Sequence, residues 1–106
     1  MASVRVEWIN LAVGMLHDGG AANVVKDVAG TATKLAVTST ATEAVSRPVA
    51  PAGVRYARVS AVEGDSIVAW GADPTAAQNN GLLVTEGQVE AVPIAAGDKL
   101  SFVELT

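Results

Sequence analysis

The chain has 106 residues, no cysteine and a formal net charge of −4, and half of its residues are hydrophobic. This length fits one domain, so we expect a single domain over residues 1–106. The lack of cysteine excludes disulfides, thiolate metal sites and cysteine nucleophiles, and the seven Lys and Arg, spread from Arg5 to Lys99, do not form the basic cluster that nucleic acid requires.

The chain opens with a predicted strand. Val4, Val6 and Trp8 occupy alternate positions, and the residues between them, Arg5 and Glu7, are charged. Successive side chains of a strand point to opposite faces, so this alternation predicts one apolar face that is directed to a core.

Residues 10–30 give a weaker signal. Short apolar runs flank a strong turn at residues 17–20, which read His-Asp-Gly-Gly. We interpret this segment as an extended arm or an irregular excursion. A helix over residues 21–29 is the alternative, because three valines there have helical spacing, but β-branched residues and flanking glycines disfavour it.

Six further strands are predicted, each bounded by turn residues. They cover residues 34–42, 54–62, 66–70, 82–85, 89–94 and 99–105. The turn Glu63-Gly64-Asp65 predicts a hairpin between the second and third of these strands. Strand 66–70 has no polar face, so we expect it to be central or covered by a neighbouring subunit, with Trp70 buried in either case. The turn spacing is typical of an antiparallel β-sandwich or jelly roll, and the predicted fold class is all-β.

Candidate catalytic and ligand residues are few. His17 is the only histidine and lies in a glycine-rich turn, while residues 64–66, which read Gly-Asp-Ser, do not precede a helix as an esterase nucleophile would. Asp73, Asn79 and Asn80 supply fewer oxygen ligands than the six to eight that calcium takes. We therefore expect no enzyme activity, no metal and no cofactor.

The aromatic residues leave one binding alternative open. Trp8, Tyr56 and Trp70 are candidates for a flat platform that stacks on a sugar, as in carbohydrate-binding β-sandwich modules. The competing interpretation is that they anchor a core or an interface, because each ring removes a large area from water. Exposure of the two tryptophans distinguishes these interpretations.

The composition also indicates association. The chain contains 20 Ala and 17 Val but only four aromatic residues, and 17% of its residues are charged against about 25% in an ordinary soluble protein. This number of charged residues is too low to cover the surface of so small a domain. We therefore expect part of its apolar surface to contact another subunit. No apolar run reaches the roughly 18 residues of a membrane-spanning helix, and no signal peptide is recognisable, so we expect a soluble protein without a membrane partner.

The second half of the chain carries a family resemblance. The strand Asp65-Ser66-Ile67-Val68-Ala69-Trp70 runs into the turn Gly71-Ala72-Asp73-Pro74-Thr75-Ala76, and Asn80-Gly81, Gly87 and Ala96-Gly97-Asp98 mark later turns. This pattern, over residues 54–105, resembles small all-β virion proteins of tailed bacteriophages. The resemblance implies a capsid decoration (cement) protein that binds and stabilises the expanded head shell. The alternatives are a base or adaptor domain of a head or tail fibre and the carbohydrate-binding module.

The resemblance also implies partners and a location. The expected partners are the major capsid protein and further copies of the chain, as a trimer or dimer, on the capsid surface of a virion whose parts are made in the host cytoplasm. An extended arm, for which residues 10–30 are the candidate, would clasp neighbours by main-chain pairing. The predicted interface residues are Leu11, Val13, Met15, Leu16, Trp70, Asp73 and Pro74.

Overall fold

The protein is an all-β chain, as predicted. The computed structural model describes the backbone of residues 2–15 and 21–106, and the side chains of residues 2–10, 32–43 and 45–106. Its strands are β1 (Ala2–Met15), β2 (Ala21–Val37), β3 (Tyr56–Glu63), β4 (Ser66–Gly71), β5 (Leu82–Val84), β6 (Val89–Pro93) and β7 (Lys99–Glu104). A single 3₁₀ turn, Ala44–Ser46, accompanies them in the described part of the chain.

The strands form two antiparallel sheets. Sheet A has the order β2-β1-β3-β6, and sheet B has the order β5-β4-β7. Both sheets contribute to one core, which is compatible with a β-sandwich. The helical alternative for residues 21–29 is wrong, because these residues belong to β2 and pair with β1.

The core is built from alternating small apolar residues. Val4, Val6 and Trp8 of β1 are buried, so the predicted apolar face of the first strand is confirmed. They meet residues of sheet B, of which Leu100 and Phe102 are the largest. Because Val and Ala dominate, the sheets are held by a large number of small contacts with few bulky anchors.

The predicted hairpin between β3 and β4 is wrong. β3 pairs with β1 and β6, whereas β4 pairs with β5 and β7, so the two-residue connection crosses from sheet A to sheet B. A hairpin and such a crossover have the same local sequence, and burial decides between them: the inward faces of β3 and β4 both contribute to the one core between the two sheets. Gly64 has φ of 66°, and its N–H donates to Glu86 Oε1 (2.9 Å), while Asp65 Oδ1 accepts from the Glu86 N–H (2.9 Å).

The predicted strand over residues 34–42 is correct only in part. β2 ends at Val37, and residues 38–50 run irregularly along the free edge of β7. The Glu104 N–H donates to Thr38 O (2.7 Å), the Thr42 N–H to Phe102 O (3.0 Å), and the Leu100 N–H to Pro48 O (3.0 Å). This segment therefore satisfies the backbone groups of β7 that an edge strand would leave open.

β4 is central in its sheet, which is one of the two predicted alternatives. Val68 faces the main core, and Ile67 lies in a second cluster with Ala76 and Val103. Residues 72–81 cover that second face, and the Ala76 N–H donates to the buried Ser101 hydroxyl oxygen (3.0 Å). Both faces of β4 are thus apolar because both are covered.

Gly81, the last residue of this covering segment, lies close against β4. Its φ is 132°, and a Cβ added there would lie 2.6 Å from Val68 O and 2.7 Å from Ile67 Cγ2. We expect Gly81→Ala to lower the free energy of unfolding by about 2 to 4 kcal/mol, from backbone strain and overpacking together. Urea unfolding measures this change. Gly97→Ala is the matched control, since Gly97 has φ of 83° but open space around its Cβ position, and it should cost about 1 kcal/mol from strain alone. Equal losses in the two variants would contradict the close approach.

Candidate interaction surface

The most distinctive feature of the surface is a two-stranded ribbon. β1 pairs with both β2 and β3 as far as Ile9, which lies opposite Tyr56. From Asn10 to Met15 it pairs with β2 alone. We call residues 10–15 and 21–27 the ribbon. They lie in regular strands, so the irregular alternative does not hold for them.

Asn10 fixes the base of the ribbon. Its Nδ2 donates to Gly53 O (3.0 Å), and its Oδ1 accepts from the Arg55 N–H (3.0 Å). These bonds hold the chain just before β3, at the point where β3 starts to accompany β1. The side chain of Asn10 therefore marks where the sheet narrows from four strands to the ribbon.

The end of β4 lies at the same end of the molecule. Gly71 is paired with Lys99, and Lys99 also forms a bridge with Val49. The Ala50 N–H donates to Asp98 O (2.7 Å), three residues before the Gly53 that Asn10 binds. Backbone pairing thus links the last residues of β4 to the base of the ribbon. We call the region formed by Asn10, residues 49–53, Gly71, Asp98 and Lys99 the ribbon end.

The predicted interface residues that the structure describes lie at this ribbon end, in different environments. Leu11, Val13 and Met15 are in the ribbon strand of β1, but their side chains lie outside the described residues, as does Leu16 altogether. Asp73 is 93% exposed and pairs with Arg47 Nη1 (3.2 Å). Pro74 is buried within the chain, so it offers no surface there.

Trp70 is not buried within the single chain, and its burial against a neighbouring subunit stays a prediction. Its side chain is 37% exposed, whereas Trp8 is 7% exposed within the core. Trp70 is the last residue but one of β4, and its neighbour across the sheet, Leu100, is fully buried. The apolar pattern of β4 predicted its central position. It did not predict that the side chain of Trp70, near the C-terminal end of the strand, is partly exposed.

Other large apolar side chains are exposed that the sequence did not single out. They are Val45, Val49, Val62, Leu83, Val89 and Leu105, with exposures from 39% to 92%. The exposure of Val89 could have been predicted from the sequence. Residues 89, 91, 92 and 93 are all non-polar, and a five-residue edge strand buries only one of its two faces, so some of them must be exposed. Val49 gave no signal, because it lies between two prolines in a connecting segment.

An ion-pair cluster lies on the outer face of sheet A. Glu7 is opposite Arg58 across β1 and β3, and its two carboxylate oxygens accept from Arg58 Nε (3.1 Å) and Nη2 (2.9 Å). Arg5 Nη1 is 2.8 Å from Glu7 Oε1. The hydrogen bonds from Arg58 lower the pKa of Glu7, and burial opposes this in part. Glu7 is 6% exposed, and the two arginines lie against it.

Little else in the described residues resembles a site. No group of three or more His, Cys, Asp or Glu is placed there to hold a metal ion, and His17 lies outside this part. A cavity of about 220 Å³ lies at residues 36–46 and is lined by several threonines, but Thr38 and Thr42 direct their hydroxyls to backbone oxygens of Thr40 (3.2 Å) and Phe102 (3.1 Å). Within residues 2–15 and 21–106, no helix is long and apolar enough to cross a membrane.

Comparison with known proteins gives no relative. No protein-family model, curated protein or solved structure matches this chain.

The two tryptophans should differ in stability and accessibility. Trp8→Ala removes a core side chain and should lower the free energy of unfolding by about 3 to 5 kcal/mol, whereas Trp70→Ala should cost about 1 to 2 kcal/mol. Urea unfolding compares the two. In single-tryptophan variants made with Trp8→Phe and Trp70→Phe, iodide should quench Trp70 strongly and Trp8 weakly. Strong quenching of Trp8 would place it outside the core.

Glu7 should make stability depend on pH. Folding lowers its pKa, so the carboxylate stabilises the fold above its unfolded-state pKa, and this contribution is lost as the pH falls below 4.5 through the folded-state value. We expect Glu7→Gln to cost about 1 to 3 kcal/mol at neutral pH and to reduce the loss of stability on acidification. Denaturant unfolding over a pH series tests this. Asp73→Asn, which breaks the exposed pair with Arg47, is the control and should cost less than about 1 kcal/mol at any pH.

Proposed function

We propose that this protein is a non-enzymatic structural component of a bacteriophage virion, specifically a decoration protein that binds the major capsid protein on the expanded head shell. The finer description of the fold, a jelly-roll-like sandwich with an extended arm, is part of this proposal. The observation that carries it is the ribbon, because the chain extends one pair of strands beyond the sheets that form its core. The family resemblance of residues 54–105 supports the same function.

The ribbon is suited to clasp a neighbour. A two-stranded ribbon presents unpaired backbone N–H and C=O groups along its edges, and a further strand can be added to such an edge. Residues 10–15 and 21–25 contain no charged residue that would oppose the addition. An arm of this kind contributes main-chain hydrogen bonds without requiring a deep pocket.

The ribbon end adds apolar contact. Trp70 and Val49 are 37% and 52% exposed, and both lie on segments that meet at Lys99. A decoration protein is present in many copies, so each interface can be small and the contacts gain by multivalency. A protein that binds only the expanded lattice stabilises that state by mass action. This function requires no chemical step.

The burial of Trp8 disfavours the carbohydrate-binding alternative. A sugar-binding surface built from Trp8, Tyr56 and Trp70 needs exposed rings, and Trp8 is 7% exposed in the core. The fibre-adaptor alternative uses the same fold and differs only in the partner, so a binding experiment distinguishes it.

The test is cosedimentation with capsids of the phage that encodes the protein, before and after expansion and over a range of salt concentrations. We expect saturable binding to expanded shells only, and we expect it to persist at high salt because apolar contacts and main-chain hydrogen bonds are screened little. Binding to neither shell would refute the decoration role and favour a fibre component.

A ribbon-shortened variant locates the contact. Replacement of residues 12–24 by Asn-Gly closes a two-residue hairpin between Leu11 and Val25, which are paired in the structure. We expect it to keep a folded, strand-rich circular dichroism spectrum, reduced only by the eight strand residues removed, and to lose most shell binding. Leu83→Ser, which changes an exposed residue of sheet B away from the ribbon, is the control and should bind as wild type does. Full binding by the shortened variant would contradict the role of the ribbon.

A further inference from the structure

One edge of the ribbon is open and regular. From Leu11 to Met15, β1 pairs with β2 residues 25 to 21 without a shift in register. On the other side of β1, the last pair with β3 is at Ile9, and no described strand continues that line. Five consecutive positions of β1 therefore present one edge to which a strand could be added.

The other sheet edges in the described part of the chain are protected, except that of β2 residues 21–25 on the far side of the ribbon. Residues 38–50 cover β7, and β5 is only three residues long. β6 ends in Pro93 and turns Glu90 to the same side as the buried Val92. β2 carries an exposed lysine, Lys34, and two register shifts at which it holds extra residues. Proline, inward charges, lysine and bulges all discourage pairing at an edge, and residues 11–15 have none of them.

The sequence of this edge is self-complementary. It reads Leu-Ala-Val-Gly-Met, with the larger residues at positions 11, 13 and 15 and the small ones at 12 and 14. Antiparallel pairing about a two-fold axis perpendicular to the sheet requires a residue to pair with its own copy, because directly opposed residues share a face. Centred on Val13, the pairing places Leu11 opposite Met15 of the partner subunit and Ala12 opposite Gly14 of the partner subunit. Large positions then meet large ones, and small positions meet small ones.

We infer that the β1 edge from Leu11 to Met15 binds the same edge of a second copy of this chain, in antiparallel register centred on Val13. The inference rests on the arm that the proposed function assigns to the ribbon, and it names the neighbour that the arm binds. The dimer has a continuous β2-β1-β1-β2 sheet through its two ribbons. An isolated two-stranded hairpin is marginal in water, whereas four paired strands are not, so pairing stabilises both ribbons together.

Disulfide trapping in the full chain tests the register. The protein has no cysteine, so a single substitution supplies the only thiol. In Val13→Cys, the two cysteines face each other with Cα atoms about 4.5 to 5.5 Å apart, within the range that a disulfide spans. In Ala12→Cys, the matched control, the two are roughly 8 Å apart and outside that range. We expect mild oxidation to convert Val13→Cys to a covalent dimer and to leave Ala12→Cys largely monomeric on a non-reducing gel.

A mixing experiment checks the register independently. Leu11→Cys and Met15→Cys should each cross-link poorly alone, because equivalent positions lie roughly 14 Å apart, but should form a mixed disulfide when combined. Equal cross-linking at residues 12 and 13, or no mixed disulfide, would overturn the proposed pairing.

The oligomeric state supplies a readout without cysteine. By light scattering on the wild-type chain, we expect a mass twice the 10.7 kDa of one copy. Val13→Lys places two like charges opposite each other and should give a monomer, with an unchanged circular dichroism spectrum showing that the fold persists. A monomeric wild-type chain at the highest attainable concentration would refute the inference. None of these experiments uses capsids, so dimerisation without shell binding would refute only the decoration role, and shell binding by a monomer would refute only the dimer.

Discussion

The architecture depends on the unequal lengths of β1 and its neighbour β3. β1 has 14 residues, but β3 accompanies it only as far as Ile9. Where both neighbours are present, β1 lies inside a four-stranded sheet and can bury Val4, Val6 and Trp8 against sheet B. Where β3 is missing, the same strand continues as half of a ribbon. One strand thus belongs to the core over its first part and to a candidate interaction surface over its second part.

The chain just before β3 enforces this division. Asn10 binds Gly53 O and the Arg55 N–H with its side-chain amide, so the chain joins sheet A at a defined point along β1. At the opposite end of β3, Gly64 and Asp65 turn the chain into sheet B within two residues. β3 therefore has both ends fixed by hydrogen bonds, and its length determines how far the ribbon extends.

Strand positions and inward faces were largely predictable from the sequence, since alternation reports directly on which side a residue faces. Val4, Val6 and Trp8 show this, as does the central place of β4. The pairing partner of each strand was harder to predict from the sequence. The connection at Gly64 reads as a hairpin locally, and only the burial of two facing apolar surfaces reveals a crossover between sheets.

The ribbon end was predicted only in part, because local sequence patterns do not report tertiary packing. Periodicity placed Trp70 on an apolar strand, but whether the end of that strand is covered is a tertiary property that the local pattern does not report. Residues 38–42 have strand-like composition yet run irregularly, because the edge of β7 that they follow sets their path. From the sequence, the residues of the ribbon were predicted to form an arm or an irregular excursion. The hydrogen bonds of the Asn10 side chain were not predicted.

The covering of β7 by residues 38–50 also has a consequence for the order in which the protein folds. Thr42 and Phe102 exchange hydrogen bonds although they are 60 residues apart in the chain. The segment 38–50 has no sheet to follow until β7 has been placed against β4, so this side of the sandwich closes late. Contacts so distant in sequence are slow to form, since the loop between them must be closed first. While residues 38–50 are not in place, β7 presents an open edge to which another chain could pair.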